Sequence, residues 1–218
     1  QNVDGQGLKR LAEDVSGYFY DINWSPDSSK ISFQKTPFNN WNADLFVINP
    51  DSGLSQQFHK GYVWNSAWSF DSSSLAFETS TQCDISGCNQ INPTLMVAGL
   101  DGISRAIYTS PDYNFDIHWL AEGKFLLKKG WQSAQLLLVD SQNPDPAKLI
   151  TTTTEDFSVN SQFEISPNGR SIAYLAADTV MPAQVHQSVR LADLNGDSIA
   201  VGDIGLALIT NCEGACLN

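Results

Sequence analysis

Trp24-Ser25-Pro26-Asp27-Ser28-Ser29-Lys30-Ile31-Ser32-Phe33 is the stretch that decides the fold, because variants of it recur along the chain. Trp68-Ser69-Phe70-Asp71, Trp119-Leu120-Ala121-Glu122 and Ile165-Ser166-Pro167-Asn168 open three further copies. A small polar turn and a short apolar strand follow each opening: Ile31-Ser32-Phe33, Leu75-Ala76-Phe77, Phe125-Leu126-Leu127 and Ile172-Ala173-Tyr174. The copies lie roughly 45–50 residues apart, the period of β-propeller blades of about four strands each. Helical solenoids have similar periods, but no segment here sustains a 3.6-residue apolar repeat. The expected class is all-β.

Working outward, each copy contains a second strand–turn–strand unit. Asp44-Leu45-Phe46-Val47-Ile48 runs into Asp51-Ser52-Gly53, Leu95-Met96-Val97-Ala98 into Asp101-Gly102, and Val189-Arg190-Leu191-Ala192 into Asn195-Gly196. Leu136-Leu137-Leu138-Val139 runs into Ser141-Gln142-Asn143, without the glycine. Asp-Gly and Asn-Gly supply the positive φ that tight hairpins require. Weaker outer strands follow at Ser55–Phe58, Arg105–Tyr108, Lys148–Thr151 and Ser198–Val201. Four complete antiparallel blades are expected, at 16–60, 61–110, 111–155 and 156–203.

Partial blades are expected at both ends. Val3-Asp4-Gly5 aligns with Leu100-Asp101-Gly102, so 1–15 reads as the outer part of an incomplete blade, with Leu8-Lys9-Arg10-Leu11 as its outer strand. Residues 204–218 read as the start of a further blade or a C-terminal tail. The expectation is a chain cut from a longer propeller, or copies that complete one another through open blade edges.

With 12 Lys+Arg against 24 Asp+Glu, the net charge is −12, and no basic stripe interrupts it. Such a surface repels phosphate backbones, which argues against a nucleic-acid partner. No apolar run approaches the 18 or so residues of a membrane-spanning helix. The four cysteines form two tight pairs, Cys83/Cys88 and Cys212/Cys216, at C-x4-C and C-x3-C spacing. Zinc knuckles use shorter gaps, and His59, His118 and His186 are scattered, so local disulfides in an oxidising compartment are the better reading.

The strings Trp24-Ser25-Pro26-Asp27-Ser28-Ser29-Lys30-Ile31-Ser32-Phe33 and Asp44-Leu45-Phe46-Val47-Ile48-Asn49-Pro50-Asp51-Ser52-Gly53 closely resemble the WD-like repeat of the TolB-like β-propeller family. Leu8-Lys9-Arg10-Leu11-Ala12-Glu13-Asp14 resembles that repeat's outer strand. The likeness covers nearly the whole chain and fades in the third copy, whose turn is one residue shorter. Similar repeats occur in the propellers of prolyl-oligopeptidase-like and tricorn-like peptidases. The resemblance implies a six- to eight-bladed parent, a periplasmic or extracellular setting and protein-binding duty.

Catalytic signatures are absent from the sequence: no G-x-S-x-G elbow, no H-E-x-x-H, no Gly-rich phosphate loop. No cofactor is expected. Asp193-Leu194-Asn195-Gly196-Asp197 begins like a calcium loop. It has Ser198 where glycine belongs and Ile204 where a bidentate Glu belongs, and it coincides with a hairpin turn, so no metal is expected.

The candidate binding residues come from two patterns. Just before each inner strand, Tyr18-Phe19-Tyr20-Asp21, Tyr62-Val63-Trp64-Asn65 and Tyr113-Asn114-Phe115-Asp116 repeat an aromatic, a spacer, an aromatic and Asp or Asn; the fourth copy has Val159-Asn160-Ser161-Gln162. Tyr20, Trp64 and Phe115, with Asp21, Asn65, Asp116 and Gln162, are candidates for the mouth of the channel. The competing structural account has the rings wedged between blades and the polar groups capping backbone amides. Loops between second and third strands are expected on the same face: Phe38–Asn42, Ser80–Pro93, Lys129–Gln132 and Ala177–Ser188. Trp41 and Trp131 are their candidate anchors, whereas Trp24, Trp68 and Trp119 are expected in the core. The expected function is a non-catalytic exported scaffold binding a protein or peptide. The alternatives are the gating propeller of a larger hydrolase and a lectin-like glycan-binding module.

Overall fold

The computed structural model describes residues 7, 9–13, 16–38, 42–80, 83–84, 87–88, 92–111, 115–130, 135–144, 146–152, 163–181 and 184–208. The first sheet pairs β1 (Gly17–Trp24), β2 (Ile31–Pro37), β3 (Asp44–Ile48) and β4 (Ser55–His59) in that order. The second pairs β5 (Val63–Trp68), β6 (Ser74–Thr79), β9 (Thr94–Gly99) and β10 (Ser104–Thr109). Between β6 and β9 a small ribbon is inserted, β7 (Cys83–Asp84) with β8 (Gly87–Cys88). The third runs β11 (Phe115–Trp119), β12 (Lys124–Lys129), β13 (Gln135–Asp140), β14 (Lys148–Thr152); the fourth β15 (Phe163–Ile165), β16 (Ser171–Met181), β17 (Gln184–Asp193), β18 (Ser198–Leu208). These are four-stranded antiparallel meanders, the blades of a β-propeller.

The Ser-x-Asp openings explain why the chain turns where it does. Ser69 Oγ donates to Asp71 Oδ1 at 2.7 Å and accepts the Ser74 N–H at 3.0 Å, while Asp71 Oδ1 accepts the Ser73 N–H at 3.0 Å. Ser25 and Asp27 repeat this, at 2.6 Å between the side chains and 2.9 Å from the Lys30 N–H. Ser166 and Asn168 do the same at 2.8 Å. The side chains thus stand in for a backbone turn. The donors also hold the Asp27 and Asp71 carboxyls below their usual range, the serine hydroxyls contributing most. The third copy has no such serine and uses a 3-10 turn at Ala121–Gly123.

The chain packs as two compact units, Gln1–Trp119 and Leu120–Asn218. In the first, Leu45, Val47 and Phe58 from one sheet meet Val63, Trp68, Leu75, Phe77 and Ala98 from the next. In the second, Leu120, Leu126, Leu136 and Leu138 meet Ile172, Tyr174, Ala192 and Leu194. Alternate residues of each strand supply these faces, as a period-2 pleat requires.

Four details differ from the sequence expectation. The aromatic–Asx segments do not precede the inner strands but lie within them: Tyr18–Asp21 belong to β1 and Trp64–Asn65 to β5. Ala177–Ser188 is not a loop. Ala177 pairs with Gln187, Val180 with Val185 and Met181 with Gln184, and β18 runs alongside, Leu208 opposite Gln184. Residues 204–208 therefore extend the fourth sheet's outer strand instead of opening a further blade. Once strands are in register, each added pair satisfies further backbone groups. Lys9, Arg10 and Leu11 join no ladder among the described residues. Instead Leu11 packs against Ile31, Phe33 and Ile48, and Lys9 Nζ donates to the carbonyls of Pro50 and Asp51, both at 2.8 Å. Finally, Trp68 is 8% exposed as a core residue should be, but Trp24 is 56% exposed.

Candidate binding face

The inner strands β1 and β5 each contain a register shift, between Tyr20 and Asn23 and between Val63 and Ser66. Asp21, with φ +49°, and Asn65 sit in these irregularities. Such bulges re-aim a side chain across the sheet. Asp21 Oδ2 accepts from Gln34 Nε2 and from Ser66 Oγ of the neighbouring sheet, both at 2.8 Å, and its Oδ1 accepts from Asn23 Nδ2 at 2.9 Å. Asn65 bridges in the same way to β11: its Nδ2 donates to the Phe115 carbonyl at 2.7 Å and its Oδ1 accepts the Ile117 N–H at 3.2 Å. The Asx position of the pattern is therefore an inter-strand clasp. Asn65→Ala is expected to cost about 1–3 kcal/mol, since it leaves a part-buried carbonyl and amide without their partner. A chemical-denaturation midpoint unchanged from wild type would remove the clasp.

Indole groups repeat the theme. Trp68 Nε1 donates to the Asn23 carbonyl at 3.2 Å and Trp119 Nε1 to the Ala67 carbonyl at 2.7 Å. Each repeat's tryptophan thus bonds the residue that precedes the previous repeat's tryptophan. These bonds have a sequence signature, the equal spacing of the tryptophans, although their acceptors are main-chain atoms that no side-chain pattern marks.

The aromatic positions divide. Tyr20 and Trp64 are each 38% exposed, and Trp64 stacks on Tyr62 with ring centroids 6.4 Å apart. Partial burial, aided by the nearby Tyr62 and Asp21, pushes the Tyr20 phenol up to about 12. Tyr20 therefore stays a neutral donor at any physiological pH. Phe115 is 2% exposed, its N–H donating to Glu78 Oε2 at 2.8 Å. Its ring belongs to the packing, which corrects its place among the candidates, because a ring so enclosed presents nothing to a ligand. Asp116, next to it, is exposed. Trp41, Trp131 and Gln162 lie outside the described residues, as do Cys212 and Cys216. Cys83 and Cys88 face one another as cross-strand partners of β7 and β8, the backbone placement that a local disulfide requires.

The Asp193–Asp197 string forms the turn between β17 and β18. Asp193 Oδ1 accepts the Asn195 and Asp197 N–H groups at 2.8 and 3.0 Å, and these bonds hold its carboxyl below the usual range. Lys148 Nζ reaches the same turn, at 2.6 Å from the Asn195 carbonyl and 3.0 Å from Asp197 Oδ1. That carboxylate is oriented by backbone donors as a turn cap.

No protein-family model matches the sequence, and no curated protein matches it. Among solved structures, the chain is similar to TolB from Acinetobacter baumannii, with a TM-score of 0.57 at 17% identity over 92% of this chain and 47% of that one. It is similar to the β-propeller domain of the Trilobed protease from Pyrococcus furiosus, which has an open velcro topology: TM-score 0.62, 12% identity, 88% of this chain and 58% of that one. An oligogalacturonate lyase from Vibrio parahaemolyticus gives a TM-score of 0.60 at 12% identity, over 89% of this chain and 55% of that one. The chain spans about half the length of these structures, at 47%, 58% and 55%. The likeness is one of fold, that of a TolB-like β-propeller. Among the described residues no helix is long and apolar enough to cross a membrane.

Proposed function

We propose that this propeller is a non-catalytic exported scaffold that binds a protein or peptide through the face carrying Tyr20 and Trp64. The observation that carries the reading is the pairing of roles along the inner strands. The Asx side chains are engaged in clasping neighbouring sheets, while the two rings beside them remain 38% exposed with a buried Tyr62 beneath. Rings held at one edge and open at the other are what protein-binding surfaces use as anchors, since little side-chain entropy is left to lose. Trp41, Trp131, Asp116 and Gln162 extend the same proposed face. The opposed Cys83 and Cys88 support the export reading, with a disulfide closing the ribbon between β6 and β9.

Capture from an envelope or secreted fraction tests this. Wild type should retain a discrete protein or peptide partner that a Tyr20→Ala/Trp64→Ala variant loses, and a Trp41→Ala/Trp131→Ala variant should weaken capture as well. Equal capture by wild type and both variants would defeat the face, and glycan binding by the intact propeller would transfer it to a lectin. A second reading, a gating propeller of a larger hydrolase, is favoured by the similarity to a protease's propeller domain and by the chain spanning only 58% of that structure. A G-x-S-x-G-bearing α/β domain encoded beyond position 218 would support it.

A further inference from the structure

The flank of β1 is made for a partner. In the second sheet, the residues of the inner strand that face the preceding sheet are covered: Tyr62 is 7% exposed, Trp68 8% and Ser72 3%. Phe115 at 2% and Ile117 at 6% show the same in β11. The matching positions of β1 are open, with Tyr18 60%, Ile22 64% and Trp24 56% exposed, and Ser28 is exposed as well. Covered positions also make defined bonds. Trp68 and Trp119 donate their indole N–H to a main-chain carbonyl of the preceding inner strand, Ser66 Oγ donates to Asp21, and Ser72 Oγ accepts the Asp27 N–H at 3.0 Å. Trp24 makes no such bond among the described residues.

The bonds made by its counterparts specify what Trp24 lacks: the carbonyl of the residue just before the Trp position of another inner strand. Asn23 and Ala67 supply that carbonyl within the chain, paired across their hairpins with Ser32 and Ala76. Glu164 stands at the same register in β15, paired with Ala173. We propose that the Tyr18/Ile22/Trp24 flank of β1 docks the fourth sheet of a second copy of this chain, with Trp24 Nε1 donating to the Glu164 carbonyl. Sheet faces meet, as between the first and second sheets, and no strand is added to an edge. Leu11 covers the outer part of the same face, against Ile31, Phe33 and Ile48. The incoming sheet therefore leads with its inner strand and displaces Lys9–Glu13 as it seats. Unlike surfaces meet, so the contact is heterologous and propagates into a ring or a filament.

The test is sedimentation velocity on the 218-residue chain over a hundredfold concentration range, with photo-crosslinking from a benzoylphenylalanine at position 24. Wild type should shift from monomer to higher species as concentration rises, and crosslinks should map to 163–173 of another copy. Trp24→Ala and Ile22→Asp, at exposed sites where folding is little affected, should weaken association at least tenfold with unchanged circular dichroism. Wild type remaining monomeric throughout would overturn the proposal, as would variants that associate as strongly, or crosslinks mapping to another region.

Discussion

Phe77→Ala is expected to destabilise the first unit by about 3–5 kcal/mol, the usual cost of truncating an enclosed phenylalanine. The ring is fully buried and shares a cluster with Leu45, Val47, Phe58, Val63, Trp68, Leu75 and Ala98. It also lies 5.1 Å from the His59 imidazole. These neighbours come from two sheets whose backbones are fixed by their own ladders, so they cannot collapse into the space left behind. Domains have a total stability of only about 5–15 kcal/mol, so the variant would lie close to unfolding. The urea midpoint, followed by fluorescence of Trp68 in the same cluster, measures it. Ile22→Ala, at a site 64% exposed, provides the comparison and should stay within about 0.5 kcal/mol of wild type. A Phe77→Ala loss below about 1 kcal/mol would mean that the two sheets do not share a rigid core.

The second large effect is a pH dependence centred on Glu78. Burial pushes its carboxyl from 4.5 up to about 8, against the opposing pull of the Phe115 N–H, with the Asp116 charge adding to the rise. Its folded pKa exceeds its unfolded one, so the folded state holds the proton more tightly. The associated stability is complete below pH 4.5 and is lost as pH rises through about 8. The slope approaches about 1.4 kcal/mol per pH unit inside that window. Asp27 and Asp71 run the other way: their folded pKa values are depressed, so their contribution is present above 3.8 and lost only on further acidification. The windows do not overlap, and a neutral-range decline belongs to Glu78. Glu78→Gln keeps an acceptor for the Phe115 N–H and removes the titration. Wild-type unfolding free energy should fall between pH 5 and pH 8 while the variant's stays level; parallel curves would clear Glu78 of the effect.

What could be read beforehand depended on whether a residue's partner was local. Ser69 and Asp71 bond within their own turn, so Ser-x-Asp was enough to place it. Gly53, Gly102 and Gly196 adopt φ of +74°, +79° and +74°, as the Asp-Gly and Asn-Gly turns required. Where partners lie in another repeat, the pattern was visible and its purpose was not. The Asx of each aromatic–Asx segment was legible as recurrent, yet its acceptors and donors are groups roughly 50 residues away. The bulge at Asp21 also interrupts the alternation that would have shown β1 starting at Gly17. The long fourth-sheet strands were hidden for a different reason: Ala177–Ser188 has no strong alternation, and only cross-strand pairing shows that it is ladder.

One position in each turn carries a consequence for how such tandem copies can diverge. Ser28, Ser72, Glu122 and Gly169 occupy corresponding places with left-handed φ of 60°, 61°, 60° and 66°. Glycine adopts this geometry freely, and other residues are strained there by about 1 kcal/mol. Gly169 serves its neighbour through a main-chain atom, its carbonyl accepting the Ala121 N–H at 2.8 Å. Ser72 serves through its hydroxyl, to the Asp27 N–H, and Glu122 through its carboxylate, 2.6 Å from Arg170. A copy whose bridge is main-chain is free to relax to glycine; a copy whose bridge is a side chain is held to a strained residue. Repeats descended from one ancestor would therefore drift apart first at their junctions, each fixed by its neighbour's choice of atom.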